Sequence, residues 1–160
     1  MKAATVSQIK KELVYRSPEE LLELCLRLSK FKKENKELLT YLLFESIDEE
    51  EYIQNIKTEI DTEFKTINTK NFFYVKKSVR KILKLIKKYS RYSLKKETEA
   101  ELMFYFLFKL KELRPSIKRN ATLVKLYQRQ LASVKKLVST LHEDLQYDYK
   151  QELEGLEDLK

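Results

Sequence analysis

The chain is predicted to be all-α, with about seven helices, on three observations. Only one Gly and two Pro stand among its 160 residues, so little interrupts regular structure. Charged residues make up 36% and hydrophobic residues 42%, which suits solvated helix faces around a core and argues against disorder. Apolar residues also recur at spacings of three and four along most of the length, the period of a one-sided helix.

A first helix is expected from about Thr5 to Tyr15. Ser17-Pro18-Glu19-Glu20 then reads as a helix start. Ser17 caps, Pro18 suits the first helical position and Glu20 completes a capping box. Leu21, Leu22, Leu24, Cys25 and Leu28 form the inward face, with Cys25 expected as a small buried hydrophobe. Phe31 to Asn35 is a turn, and Asn35 a cap for the helix through Leu38, Leu39, Leu42 and Phe44. Asp48 starts a longer helix whose first turn holds Glu49, Glu50 and Glu51, read as a solvated terminus matched to the helix dipole. Tyr52, Ile56, Ile60, Phe64 and Ile67 are its buried stripe.

A fifth helix is expected over 72–92 and a sixth over 98–114, stopped by Pro115. The seven residues Leu102 to Phe108 are all apolar, so this helix should be enclosed by others. The last helix should run from Ser116 or Asn120 to about Leu145. Val124, Leu131, Val138 and Leu145, interleaved with Tyr127, Val134 and Leu141, form a heptad seam. A single domain, 1–146, is followed by an acidic tail, 147–160, expected to fray.

An internal echo suggests how the helices assemble. Leu21, Leu22, Leu24, Cys25, Ser29, Lys30 and Phe31 match Ile82, Leu83, Leu85, Ile86, Ser90, Arg91 and Tyr92. Glu37, Leu38, Tyr41, Leu43 and Phe44 then match Glu101, Leu102, Tyr105, Leu107 and Phe108. Two three-helix units, 17–69 and 72–146, would stack as a short armadillo-like α-α superhelix. An up-down helical bundle is the rival fold.

Enzyme signatures are missing. His142 is the single histidine and Gly155 the single glycine. Multi-histidine metal sites, a P-loop and a dinucleotide fingerprint therefore have no residues to build them. His142-Glu143-Asp144-Leu145-Gln146 begins like a zincin helix, but Gln146 stands where the second His is needed. No cofactor, metal site or catalytic activity is expected. The lone cysteine fits no disulfide framework. Without an apolar leader or a run long enough to span a bilayer, a cytoplasmic protein that does not enter membranes is expected.

Charge is uneven. The net charge is +8, yet residues 64–96 alone hold twelve Lys or Arg and no Asp or Glu, while 141–160 carry −5. At 100° per residue from Phe72, Lys76, Lys77, Arg80, Lys81, Lys84, Lys87, Lys88 and Arg91 fall between roughly 40° and 180°. Val75, Val79, Ile82, Leu83, Ile86 and Tyr89 lie on the opposite side. This basic face is a solvated surface, a phosphate-backbone site with Tyr74 and Tyr92 near enough to stack on bases, or the seat of the acidic tail (Glu143, Asp144, Asp148, Glu152, Glu154, Glu157 and Asp158). The leading expectation is a non-enzymatic helical interaction or scaffold module that binds a protein partner or itself. The alternative is a nucleic-acid-associated protein using the 76–91 stripe.

Overall fold

The computed structural model describes residues 1–157 and 159, and among these it is all helical: eight α-helices, two short 3-10 turns and no strand. The helices are α1 (Val6–Val14), α2 (Pro18–Phe31), α3 (Lys33–Leu43), α4 (Glu49–Lys65), α5 (Phe72–Ser93), α6 (Lys96–Glu112), α7 (Ala121–Val138) and α8 (Glu143–Glu157). They divide into two compact units, residues 1–44 and 45–160. The boundary falls between α3 and α4, inside the 17–69 group.

In the first unit Thr5 and Ser17 each close a capping box, with Gln8 and Glu20, and Pro18 opens α2. Helices α2 and α3 form a hairpin. The turn is shorter than the sequence suggests, a single extended residue, Lys32. Asn35 therefore lies inside α3 and does not cap it. Its amide donates to the Leu28 carbonyl at 2.9 Å, satisfying a backbone acceptor near the end of α2. Tyr41 is the one buried side chain of this unit. Cys25 is exposed, contrary to the expectation, because two helices leave one face of the hairpin without a covering layer.

The second unit is built around α6, which packs against α4, α5, α7 and α8. The all-apolar run explains this. Leu102, Phe106, Leu107 and Leu110 are fully buried, and Met103 and Phe104 nearly so. No single partner helix could cover buried residues that span about half of its circumference; contrary to full enclosure, Phe108 is half exposed and Tyr105 half-buried on the remaining side. Helix α5 contributes Val75, Val79, Ile82 and Ile86 to the same core, and α4 contributes Ile56 and Ile60. Pro115 follows the end of α6 closely, and Asn120 accepts from the Leu123 amide to start α7.

Two further features depart from the sequence reading. The long final helix is broken at Ser139–His142. There the Ser139 and Thr140 hydroxyls donate back to the Lys136 and Leu137 carbonyls, and the Gln146 amide donates to the Leu141 carbonyl at 2.8 Å. Such local side-chain bonds compete with helical ones. Leu141 stays buried and Leu145 half-buried across the break, so both remain in apolar packing although the helix that carried the seam ends. Helix α8 returns along α7 and α6. Tyr127 donates to the Leu156 carbonyl at 2.8 Å, Phe104 stacks on Tyr149 with ring centres 4.9 Å apart, and Lys135 pairs with Glu157.

The second departure is Glu49. It is not a merely solvated residue of the α4 terminus but a clamp on the turn between α5 and α6. Its carboxylate accepts from Ser93 and from Thr98, the latter at 2.6 Å, and pairs with Lys95 at 3.0 Å. Thr98 is only 1% exposed and so needs this acceptor. Leu94, inside the clamped turn, takes a left-handed conformation at φ 58°. For a residue with a Cβ that costs about 1–2 kcal/mol.

Leu94→Gly should therefore stabilise the protein by about 1 kcal/mol. Glu49→Ala should cost about 2 kcal/mol, since it strands the Thr98 hydroxyl. Urea unfolding followed by circular dichroism reads both. Burial pushes the Tyr127 phenol up to about 12. A group whose folded pKa lies above its unfolded one contributes stability that is intact below the unfolded pKa and lost as pH rises through the folded one. Wild-type stability should fall between about pH 10 and 12, and Tyr127→Phe should flatten part of that fall.

Candidate interaction surface

Helix α5 carries its two faces as its periodicity requires. Asn71 caps it by accepting from the Phe73 amide, and its apolar side is sealed against α4 and α6. Of the basic set, Lys77, Arg80, Lys81, Lys84, Lys87 and Arg91 are exposed, while Lys76 and Lys88 are half-buried. The Lys88 ammonium lies 4.5 Å from the centre of the Tyr89 ring, and Lys81 pairs with Glu63 of α4 at 2.8 Å. Acid thus reaches this region from α4. Glu59 adds to it by accepting from the Tyr89 hydroxyl at 2.9 Å.

The acidic segment lies elsewhere. Helix α8 packs on α7 and α6, and Glu157 pairs with Lys135 of α7 rather than with a lysine of α5. Within one chain α8 takes its place on α6 and α7 because its apolar residues, Leu145, Tyr149 and Leu156, do. Asp144 lies near exposed His142, 3.4 Å from its Nδ1. Asp158 falls outside the described residues.

The aromatic partners of the stripe also differ from expectation. Tyr92 is buried and unavailable for stacking. Tyr74 is exposed, and beside it Phe73 is 64% exposed, the two rings meeting edge to face at 5.5 Å. Phe73 sits at roughly 100° on the same helical projection, the middle of the cationic arc. That placement was readable from the sequence, but an aromatic at a helix start is easily assigned to the core.

A second surface is apolar. Along the α2–α3 hairpin, Leu22, Leu24, Leu26, Leu28, Phe31, Leu38, Leu42, Leu43 and Phe44 are all exposed. A shallow groove of 250 Å³ runs between the helices, lined by Cys25, Leu28, Leu38, Leu39 and Leu42. Exposed apolar side chains gathered beside a groove mark a candidate docking surface.

A third region joins α4 to α6. The Tyr105 ring lies between the ammonium groups of Lys57 and Lys109, 5.4 and 5.0 Å from its centre. Its hydroxyl donates to Asp61 at 2.7 Å, and Lys109 pairs with the same carboxylate at 2.9 Å. Burial pushes the Asp61 carboxyl up, but hydrogen bonds from Lys109 and Tyr105 and the charges of Lys109 and Lys65 outweigh it, leaving it below its ordinary value. This is the signature of a satisfied structural pair. No group of three or more His, Cys, Asp or Glu among the described residues is arranged to hold a metal ion. No described helix is long and apolar enough to cross a membrane. Comparison with protein-family models, characterised proteins and solved structures gives no match.

Proposed function

We propose that this chain is a non-enzymatic, cytoplasmic helical interaction module that docks an amphipathic helical partner, either another protein or a second copy, on the α2–α3 hairpin. The observation that carries the reading is a contrast between the two echoed segments. In α5 and α6, Ile82, Leu83, Ile86, Leu102 and Leu107 are buried, enclosed with the help of α4 and α7. Their counterparts in α2 and α3, Leu21, Leu22, Cys25, Leu38 and Leu43, are exposed, apart from Leu21, which is half-buried. The same pattern that finds cover in one place lacks it in the other. Stacked helical units bury such faces against the next unit, so the fitting cover is a helix of the kind α7 supplies to α6. A 44-residue unit is also near the ~40-residue size below which chains need a partner or cross-link to be stable.

A second reading rests on Phe73. An exposed ring in the middle of a cationic helix face resembles the stacking platforms that hold single-stranded nucleic acid. Phosphates would lie along Lys77, Arg80, Lys84, Lys87 and Arg91, with one base on Phe73 or Tyr74.

Sedimentation velocity and binding of an apolar fluorescent dye test the first reading. The wild type should self-associate with rising concentration or, as a monomer, bind dye. Leu28→Glu with Leu42→Glu, at positions 60% and 55% exposed, should abolish both and leave the helical circular dichroism intact. A monomer that binds no dye would overturn it. Fluorescence anisotropy with labelled single-stranded RNA, across a salt series, tests the second. Log K should fall with log salt by about 0.7 per phosphate contacted. Lys84→Glu with Lys87→Glu should remove binding, and Phe73→Ala should weaken it by at least about fivefold. Affinity that ignores salt would exclude this reading.

A further inference from the structure

Helices α6 and α8 part to leave a cleft of 810 Å³ within the second unit, a size that suits a small organic molecule. Its walls combine apolar and aromatic side chains with charged ones. Phe104, Tyr105 and Phe108 line one side, and Leu145, Tyr149 and Leu156 the other. Phe104 and Tyr149 stack on each other, while Phe108 is half exposed near the opening.

The polar groups of the cleft are unbalanced. Four carboxylates, Glu101, Glu112, Asp148 and Glu152, line it together with two ammonium groups, Lys57 and Lys111. Both cations are engaged. Lys57 pairs with Glu101 at 2.6 Å, and Lys111 donates to the Gly155 carbonyl at 2.7 Å. Glu112, Asp148 and Glu152 make no ion pair among the described residues. Glu112, Asp148 and Glu152 are solvent-exposed, and on a protein of net charge +8 they make a local patch of the opposite sign that attracts cations.

Glu152 registers the field. Burial and then the nearby Glu101 charge raise its carboxyl pKa, with Lys57 pulling the other way. Tyr149 registers it too. Burial first, then Glu101, Glu152, Glu97 and Asp148, push its phenol up to about 12. A bound cation would offset the repulsion that both groups report. Aromatic faces add attraction for the same charge.

We propose that the α6–α8 cleft binds an arylalkylammonium ion, its ammonium between Glu152 and Asp148 and its ring against Phe108 and Tyr149. The two carboxylates lie one helical turn apart on α8, where residues four apart share a face. Neither the hairpin reading nor the basic-face reading depends on this site, and it involves none of their residues.

Isothermal titration calorimetry of the full chain with 2-phenylethylammonium, 2-phenylethanol and 3-phenylpropanoate tests the proposal. The ammonium should bind about tenfold tighter than the alcohol of matching shape, as one favourable charge contact would give, and the carboxylate should not bind. Glu152→Gln should lower ammonium affinity about tenfold while the alcohol is unaffected. Phe108→Ala should weaken the ammonium and the alcohol alike. Lys84→Glu, outside the cleft, should change nothing. Circular dichroism confirms that each variant is folded. Equal affinity for ammonium and alcohol, an unchanged Glu152→Gln variant, or no binding of the ammonium would each overturn the proposal.

Discussion

Helix α6 is apolar around most of its circumference, and only the side bearing Glu97, Glu101, Tyr105, Phe108 and Glu112 is left partly open. Leu102, Phe106, Leu107 and Leu110, with Met103 and Phe104 beyond them, are buried over about half of its circumference, which demands cover from several directions at once. Helices α4, α5, α7 and α8 supply it. Each gives up one apolar stripe and keeps a polar face outward. The basic face of α5 follows directly: with Val75, Val79, Ile82 and Ile86 turned to the core, its lysines are left to the outer side, where Lys81 meets Glu63 of α4.

Around this core the polar contacts place elements more than they add bulk stability. Glu49 ties the start of α4 to the α5–α6 turn, Asp61 ties α4 to α6 through Tyr105 and Lys109, and the Tyr127 hydroxyl ties α7 to α8. Each joins residues 29 or more positions apart. Apolar packing is nondirectional, whereas these bonds select one angular setting of each helix. In the first unit the hairpin rests on the packing of α2 against α3.

Local signals in the sequence were legible because they act locally. The Ser17–Glu20 capping box, the Asp48 cap and the two faces of α5 stand where the spacing puts them. The central place of α6 was legible too, since a run without polar residues admits few alternatives. The break at Ser139–His142 was hidden because Leu141 and Leu145 keep the heptad phase across it. Glu49 was hidden because its partners, Ser93 and Thr98, lie more than forty residues away. The exposure of Cys25 was hidden for a related reason: a stripe records that a face needs cover, not whether the chain provides it. The α6–α8 cleft depended on α8 folding back over α6, which the continuous heptad seam concealed. Phe73, by contrast, could have been placed by the same projection that placed the lysines.

The position of α6 within the chain bears on how the protein is made. Two of its covering helices, α4 and α5, precede it and two, α7 and α8, follow it. During synthesis α6 leaves the ribosome with half of its neighbours already available and the other half not yet translated. Until residue 138 has emerged, the flank that α7 will cover stays open to water and to other nascent chains, a state prone to aggregation. The lysines and arginines of α5, already displayed at that stage, give the incomplete chain a like-charged surface that opposes such encounters. The charge of α5 thus acts on the unfinished chain as well as on the folded one.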